Sequence, residues 1–132
     1  MVERGDLNRA ALQIIQENPF LGIGAGHFPL ELWLQALPIK AENVHNVALL
    51  LAAETGIVGG AIWLFLILLA IWLLWRHRRQ PNQWLYAALC AWLALAIISF
   101  FDFYPWSLNS GRLLTATLLG LIAAQLTGTQ RL

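Results

Sequence analysis

Charge is scarce in this chain of 132 residues, since only 11% of them are Asp, Glu, Lys or Arg. Soluble domains carry about 25% charged residues, so the composition argues against a soluble fold. The net charge is only +1, and no basic stripe with interleaved aromatic residues indicates nucleic-acid binding. A single cysteine, Cys90, excludes an internal disulfide and a cysteine-based zinc site.

Hydrophobic residues are abundant instead, at 59%, and seven of them are tryptophan, which favours the membrane–water interface. This composition predicts an all-α integral membrane protein. The polar start, Met1 to Asp6, lacks the basic and then apolar pattern of a signal peptide.

Residues 47–132 contain three apolar runs, which predict about three transmembrane helices. The run Val47 to Trp75 exceeds what a hydrocarbon core of about 30 Å requires. We therefore expect a break near Gly56 or Gly59-Gly60, with a partly buried segment that ends at Thr55. The predicted spans cover residues 57–75, 84–101 and 113–126, and the last is short, at 14 residues.

Residues 1–46 are more polar and predict a periplasmic loop region with short amphipathic helices. Leu7 to Gln16 has helical spacing, with Asp6 as its N-cap, and Asn18-Pro19 ends it. A second short helix is predicted over Leu30 to Ala36. Between them, Gly22, Gly24 and Gly26 favour a tight turn, although glycine amides can also cradle phosphate.

The charges of the loops predict the orientation of the spans. Residues 76–82 hold three arginines and no acid, so this turn is expected in the cytoplasm. Residues 1–46 hold three basic and five acidic groups, and with the 102–112 loop they are expected outside. An external N-terminal segment with no signal peptide or preceding span favours a fragment of a larger polytopic protein.

Five motifs stand in the part of the chain that precedes and enters the first apolar run. They are Arg4 before Asn8 to Leu12, Asn18-Pro19, Gly22 to Phe28, His45-Asn46 with Leu49, and Glu54 to Gly59. In this order they resemble the C-terminal region of the O-antigen ligase/polymerase family of bacterial membrane glycosyltransferases, and the resemblance covers nearly the whole chain.

The resemblance implies a metal-independent enzyme without cofactors in the bacterial inner membrane, multi-pass, with its site on the outer face. Its partners would be membrane lipid, an undecaprenyl-diphosphate-linked glycan donor and a glycan, lipid or protein acceptor. His45 matches the family's catalytic histidine, and Arg4 matches a diphosphate-binding arginine. A second family arginine has no counterpart here, and Asn8 stands where the family usually has an aromatic residue.

The chemistry of the residues agrees with these roles but leaves other interpretations open. A neutral histidine can accept the proton of an attacking hydroxyl, yet His45 can equally anchor the apolar run at the interface. Asn46 can contact substrate or cap the following helix. Arginine pairs two phosphate oxygens, which makes Arg4 and Arg9 substrate-binding candidates.

Glu54 is the remaining substrate-binding candidate, because an acid inside an apolar run usually has a task. It can also fix the turn at Gly56 or pair with an arginine. No third ligand accompanies His27 and His45, so no metal site is expected. Two other functions remain as alternatives: a transporter or channel segment in which Glu54 couples ions, and an inactive truncated remnant.

Overall fold

The protein is described by a computed structural model that covers residues 4–35, 42–79 and 82–128. Every regular element in these ranges is an α-helix, which confirms the all-α prediction. The six helices are α1 Arg4–Glu17, α2 Phe28–Leu34, α3 Val47–Arg76, α4 Gln83–Ser99, α5 Tyr104–Ser107 and α6 Asn109–Gly128.

Among the described residues, α3 is the one helix that is both long and apolar enough to cross a membrane. It has 30 residues, whereas α4 is apolar but has 17, and α6 has 20 residues but is less apolar. Helix α6 contains the predicted run 113–126 and begins one turn before it, at Asn109. The predicted spans 57–75 and 113–126 fall within α3 and α6, whereas the predicted span 84–101 extends two residues past the end of α4 at Ser99. The placement of these spans in a membrane stays a prediction.

Helix α1 forms because its apolar residues recur at helical spacing and bury one face. Leu7, Ala10, Ala11 and Ile14 are all buried in a core cluster with Val44, Leu50 and Ala53. Burial of each large side chain contributes about 2 kcal/mol. The prediction that Asp6 is the N-cap is wrong, because the helix already includes Arg4.

Asp6 lies instead in the first turn of α1, where a carboxylate interacts favourably with the helix dipole. The predicted second helix is observed as α2, in which Phe28 and Leu32 are buried one turn apart. Its predicted last residue, Ala36, lies outside the described residues.

The predicted break in the long apolar run is confirmed at Gly56, whose φ is 79° and ψ is 174°. In an unbroken helix the carbonyl of Ala53 would accept from the N–H of Ile57. Here the N–H of Ile57 donates to the carbonyl of Pro19, at 2.9 Å. The carbonyl of Ala53 accepts from Ile23 instead, at 3.0 Å.

A third bond completes this exchange: the N–H of Gly24 donates to the carbonyl of Glu54, at 2.8 Å. The loop after α1 therefore satisfies backbone groups that the break would otherwise leave without partners. Close approach requires glycine at both contact points. A Cβ on Gly56 would lie 2.1 Å from the carbonyl oxygen of Phe20, and one on Gly22 would lie 2.4 Å from the carbonyl carbon of Glu54.

The second half of α3 packs with α4 and α6 in a separate apolar cluster. Trp92 and Leu89 of α4 lie at its centre, with Leu118 and Ile122 contributed by α6. A buried polar bond also joins two helices, since the indole of Trp63 donates to Ser99 at 3.2 Å. A hydrogen bond at the start of α4 joins this helix to α6: the side-chain amide of Asn82 donates to Gln125, at 2.9 Å.

We predict that Gly56→Ala destabilises the fold by about 3 kcal/mol, since it adds both a positive-φ strain and a backbone clash. The control is Gly120→Ala in α6, where an added Cβ meets nothing within 4 Å. The higher helix propensity of alanine should raise the free energy of unfolding of that variant by about 0.5–1 kcal/mol. Both effects are measured as changes in the free energy of unfolding in mild detergent. Equal effects of the two substitutions would contradict the assigned role of the break.

Candidate functional site

The segment 42–46 leads into α3 and presents the His-Asn pair. The side-chain oxygen of Asn46 accepts from the N–H of Leu49 at 3.1 Å, and its backbone is extended, with φ −153° and ψ 113°. This geometry is that of an N-cap, which satisfies an otherwise unpaired amide at the helix start. Of the two interpretations of Asn46, the structure supports capping.

His45 lies immediately before this cap and is half-buried. Its ring packs edge-on against Phe103, with the ring centroids 5.1 Å apart and an interplanar angle of 64°. Nδ1 is buried and has no hydrogen-bond partner. Since Nδ1 is buried, a substrate would have to reach the ring at Nε2.

Residues 102–108 lie between α4 and α6 and include the short helix α5; we call them the covering loop. They lie over the segment 42–46. Besides the contact of Phe103 with His45, the amide nitrogen of Asn43 donates to the hydroxyl of Ser107 at 3.1 Å. Asp102 accepts from the N–H of Phe103 at 2.7 Å, so its carboxylate stabilises the start of this loop. These contacts hold the covering loop, which lies between α4 and α6, against the start of α3.

Glu54 lies beneath the same loop and is only 2% exposed. Its Oε2 accepts from the indole N–H of Trp106 at 3.4 Å. In the described ranges Glu54 forms no ion pair with an arginine, and the hydrogen bond to Trp106 is its side-chain contact there. Glu54 therefore contributes to the break at Gly56 through its backbone and holds the covering loop through its side chain.

Arg4 and Arg9 lie on α1 and are both exposed. Arg9 faces away from the core, and its guanidinium lies 3.8 Å from the carboxylate of Asp6. Arg4 is three residues before Leu7 and seven before Ala11, so helical spacing places it beside the buried face. No contact in the described structure joins either arginine to His45, and their predicted roles stay predictions.

Backbone N–H groups of residues 18–27, which we call the glycine loop, donate to partners within the protein. The N–H groups of Ile23 and Gly24 donate to α3, and those of Gly22 and His27 donate within the loop. Of the two interpretations of this loop, the structure therefore supports a tight turn and not a phosphate cradle. His27 is exposed at its end, and no three His, Cys, Asp or Glu side chains gather as metal ligands in the described ranges.

From the sequence, Asp102 at the start of the covering loop could either line the site or act as a cap. The contacts that Phe103, Trp106 and Ser107 make with the site were not predicted. Arg112 was also missed: its Nε donates to the carbonyl of Trp106, and its guanidinium lies 5.4 Å from that ring. This contact places a positive charge next to the loop that covers His45 and Glu54.

An apolar groove of about 270 Å³ borders the other side of Trp106. It runs between α3 and α6, and Leu51, Trp63 and Thr115 contribute to its walls. The site therefore combines a polar end at His45 with an adjacent surface suited to hydrocarbon.

A comparison with protein-family models matches residues 1–64 to a class of bacterial, membrane-associated enzymes with glycosyltransferase-type activity. The matched family is described as O-antigen ligase, and residues 1–64 of this chain match its model. The match contains His45, Asn46 and Glu54 and confirms the resemblance. No curated protein and no solved structure matches the chain. The family implies a lipid-linked glycan donor and an acceptor in general.

We predict that Trp106→Phe destabilises the fold by about 1–3 kcal/mol. The substitution keeps an aromatic side chain but removes the indole N–H that donates to the buried Glu54. In a Glu54→Leu background the same substitution should cost clearly less. Unfolding titrations of the four variants give the coupling energy. Trp33→Phe is the control, since that side chain is 70% exposed. Fully additive effects of the two substitutions would show that the bond contributes nothing.

Proposed function

We propose that this chain provides the catalytic region of an O-antigen-ligase-like glycosyltransferase. The donor is a glycan on undecaprenyl diphosphate, and the acceptor is a lipid, a glycan or a protein. The observation that supports this most strongly is the position of His45: it is half-buried, it lies in the matched segment, and it comes just before the membrane-length helix.

In the proposed reaction an acceptor hydroxyl attacks the anomeric carbon of the donor sugar. His45 accepts the hydroxyl proton at Nε2 as the new C–O bond forms. The bond between the anomeric carbon and the diphosphate oxygen breaks, and the carrier leaves with the bonding electron pair. No metal or cofactor is required in this scheme, because arginine can neutralise the leaving diphosphate.

Arg4 and Arg9 are proposed to bind the diphosphate from α1, and Arg4 is better placed because it borders the packed face. Arg112 adds positive charge at the covering loop. Asn46 and Glu54 contribute to substrate binding indirectly in this proposal. Asn46 fixes the start of α3, and Glu54 fixes the covering loop through Trp106.

The site is proposed to lie at the outer face of the inner membrane, in a multi-pass arrangement of α3, α4 and α6. Arg76 is the last residue of α3, and Arg78 and Arg79 follow it, at the end opposite to His45. These arginines would mark the cytoplasmic side. The covering loop joins α4 to α6 and lies over His45, so both belong to the same side. The apolar groove beside Trp106 would then contact the hydrocarbon part of the carrier.

The transporter alternative requires Glu54 to face a path through the protein. Glu54 is instead 2% exposed and bonded to the indole of Trp106, so its geometry favours a structural role. The remaining alternative, an inactive remnant, is decided by measuring glycan transfer.

We predict that His45→Ala lowers the rate of glycan transfer at least about 100-fold, the effect expected from loss of a general base. Membranes that contain the natural full-length protein are supplied with an undecaprenyl-diphosphate glycan and a set of acceptors. His77→Ala is the matched control, because it removes a histidine at the far end of α3 and should leave the rate near wild type.

Equal transfer by wild type and an equally abundant His45→Ala protein would remove His45 from the mechanism. No transfer by wild type with any donor would favour the remnant.

A further inference from the structure

Two buried polar atoms at the site lack hydrogen-bond partners, and they belong to residues two positions apart. They are Nδ1 of His45 and Oδ1 of Asn43. A buried polar atom without a partner costs about 1–3 kcal/mol, so two such atoms close in sequence call for an explanation.

The two atoms are chemically complementary. A histidine that accepts a proton at Nε2 carries its own hydrogen on Nδ1, which is then a donor. The amide oxygen of Asn43 is an acceptor only. One hydrogen bond, direct or through one water molecule, would therefore satisfy both atoms.

The side chains of Asn43 and His45 both contact the covering loop. Val44, between them, is fully buried in the cluster with α1 and α2. Its two neighbours contact the covering loop instead, Asn43 through Ser107 and His45 through Phe103. Because both side chains contact the same loop, we expect a rotation of the side chains to bring Oδ1 and Nδ1 into reach of each other, directly or through one water molecule.

We propose that Asn43 is a positioning residue for His45. Its Oδ1 accepts from Nδ1–H and so holds the imidazole in the tautomer whose Nε2 is free to take a proton. Ser107 fixes the Asn43 amide by accepting from its Nδ2 at 3.1 Å. The covering loop thereby determines the orientation of the base. This inference rests on the proposed function for its effect on rate, but the tautomer does not depend on it.

The test is the tautomer of His45 in the folded full-length protein, measured from ¹⁵N shifts of labelled histidine rings. The signal of His45 is assigned by its absence in His45→Gln. We expect hydrogen on Nδ1 in the wild type and a mixture of tautomers in Asn43→Ala. Hydrogen on Nε2 in the wild type would overturn the proposal, whether or not the protein transfers glycan.

Transfer kinetics give the second readout. Asn43→Ala should lower kcat about 10–100-fold with little change in KM, the usual effect of losing a partner that orients a histidine. Asn43→Asp should retain most of the rate, because a carboxylate accepts from Nδ1–H and from the Ser107 hydroxyl. Asn8→Ala, at an exposed position of α1, is the control.

Equal losses in Asn43→Asp and Asn43→Ala would contradict the positioning role. If Asn43→Ala fails to fold, the wild-type tautomer and the Asp variant still decide the question. Absence of transfer in wild type, with hydrogen on Nδ1, would refute the proposed function and leave the tautomer assignment standing.

Discussion

The exchange of backbone hydrogen bonds at Gly56 is the constraint on which the described structure depends. Three bonds join the loop after α1 to the broken turn of α3, and the donors are Ile23, Gly24 and Ile57. A break in an apolar helix leaves polar groups that hydrocarbon cannot satisfy. The loop supplies their partners, and only glycine fits at the contact points on Gly22 and Gly56.

This connection fixes the first half of α3 against α1 and α2, and the site follows from it. The cluster of Leu7, Ile14, Phe28, Val44 and Leu50 holds the segment 42–46 in place. Asn46 then starts the helix, and His45 is left at its end beneath the covering loop. Glu54 stabilises the same arrangement from below, because it accepts the indole proton of Trp106. An acid buried in this way holds a loop in place and does not line a path for ions.

Local features of the chain were predictable from sequence because they depend on neighbouring residues. The helical spacing of Leu7 to Gln16, the conformational freedom of Gly56 and the capping preference of Asn46 each act within a few residues. Asp6 was assigned wrongly because helix ends are set by small energy differences between adjacent positions.

The covering loop was not predictable in the same way. Its bonds join residues far apart in sequence, Asn43 with Ser107 and Glu54 with Trp106, and no periodicity encodes such pairs. From the sequence, residues 102–112 were predicted as a loop on the outer side. Family resemblance identified His45, yet the partners of its ring became apparent only from the packing of Phe103 and the unpaired Nδ1. The predicted roles of Arg4 and Arg9 depend on where a substrate lies, which neither spacing nor packing determines.

In the proposed function, the segment 42–46 and the covering loop form one site for a diphosphate-linked glycan. Photolabelling tests this with an undecaprenyl-diphosphate glycan that carries a diazirine on its first sugar, followed by peptide mapping. We expect labels in residues 42–46 and 102–108, and excess unmodified donor should remove them. Specific labelling confined to residues 76–79, or no labelling that the donor competes away, would contradict a site at this position.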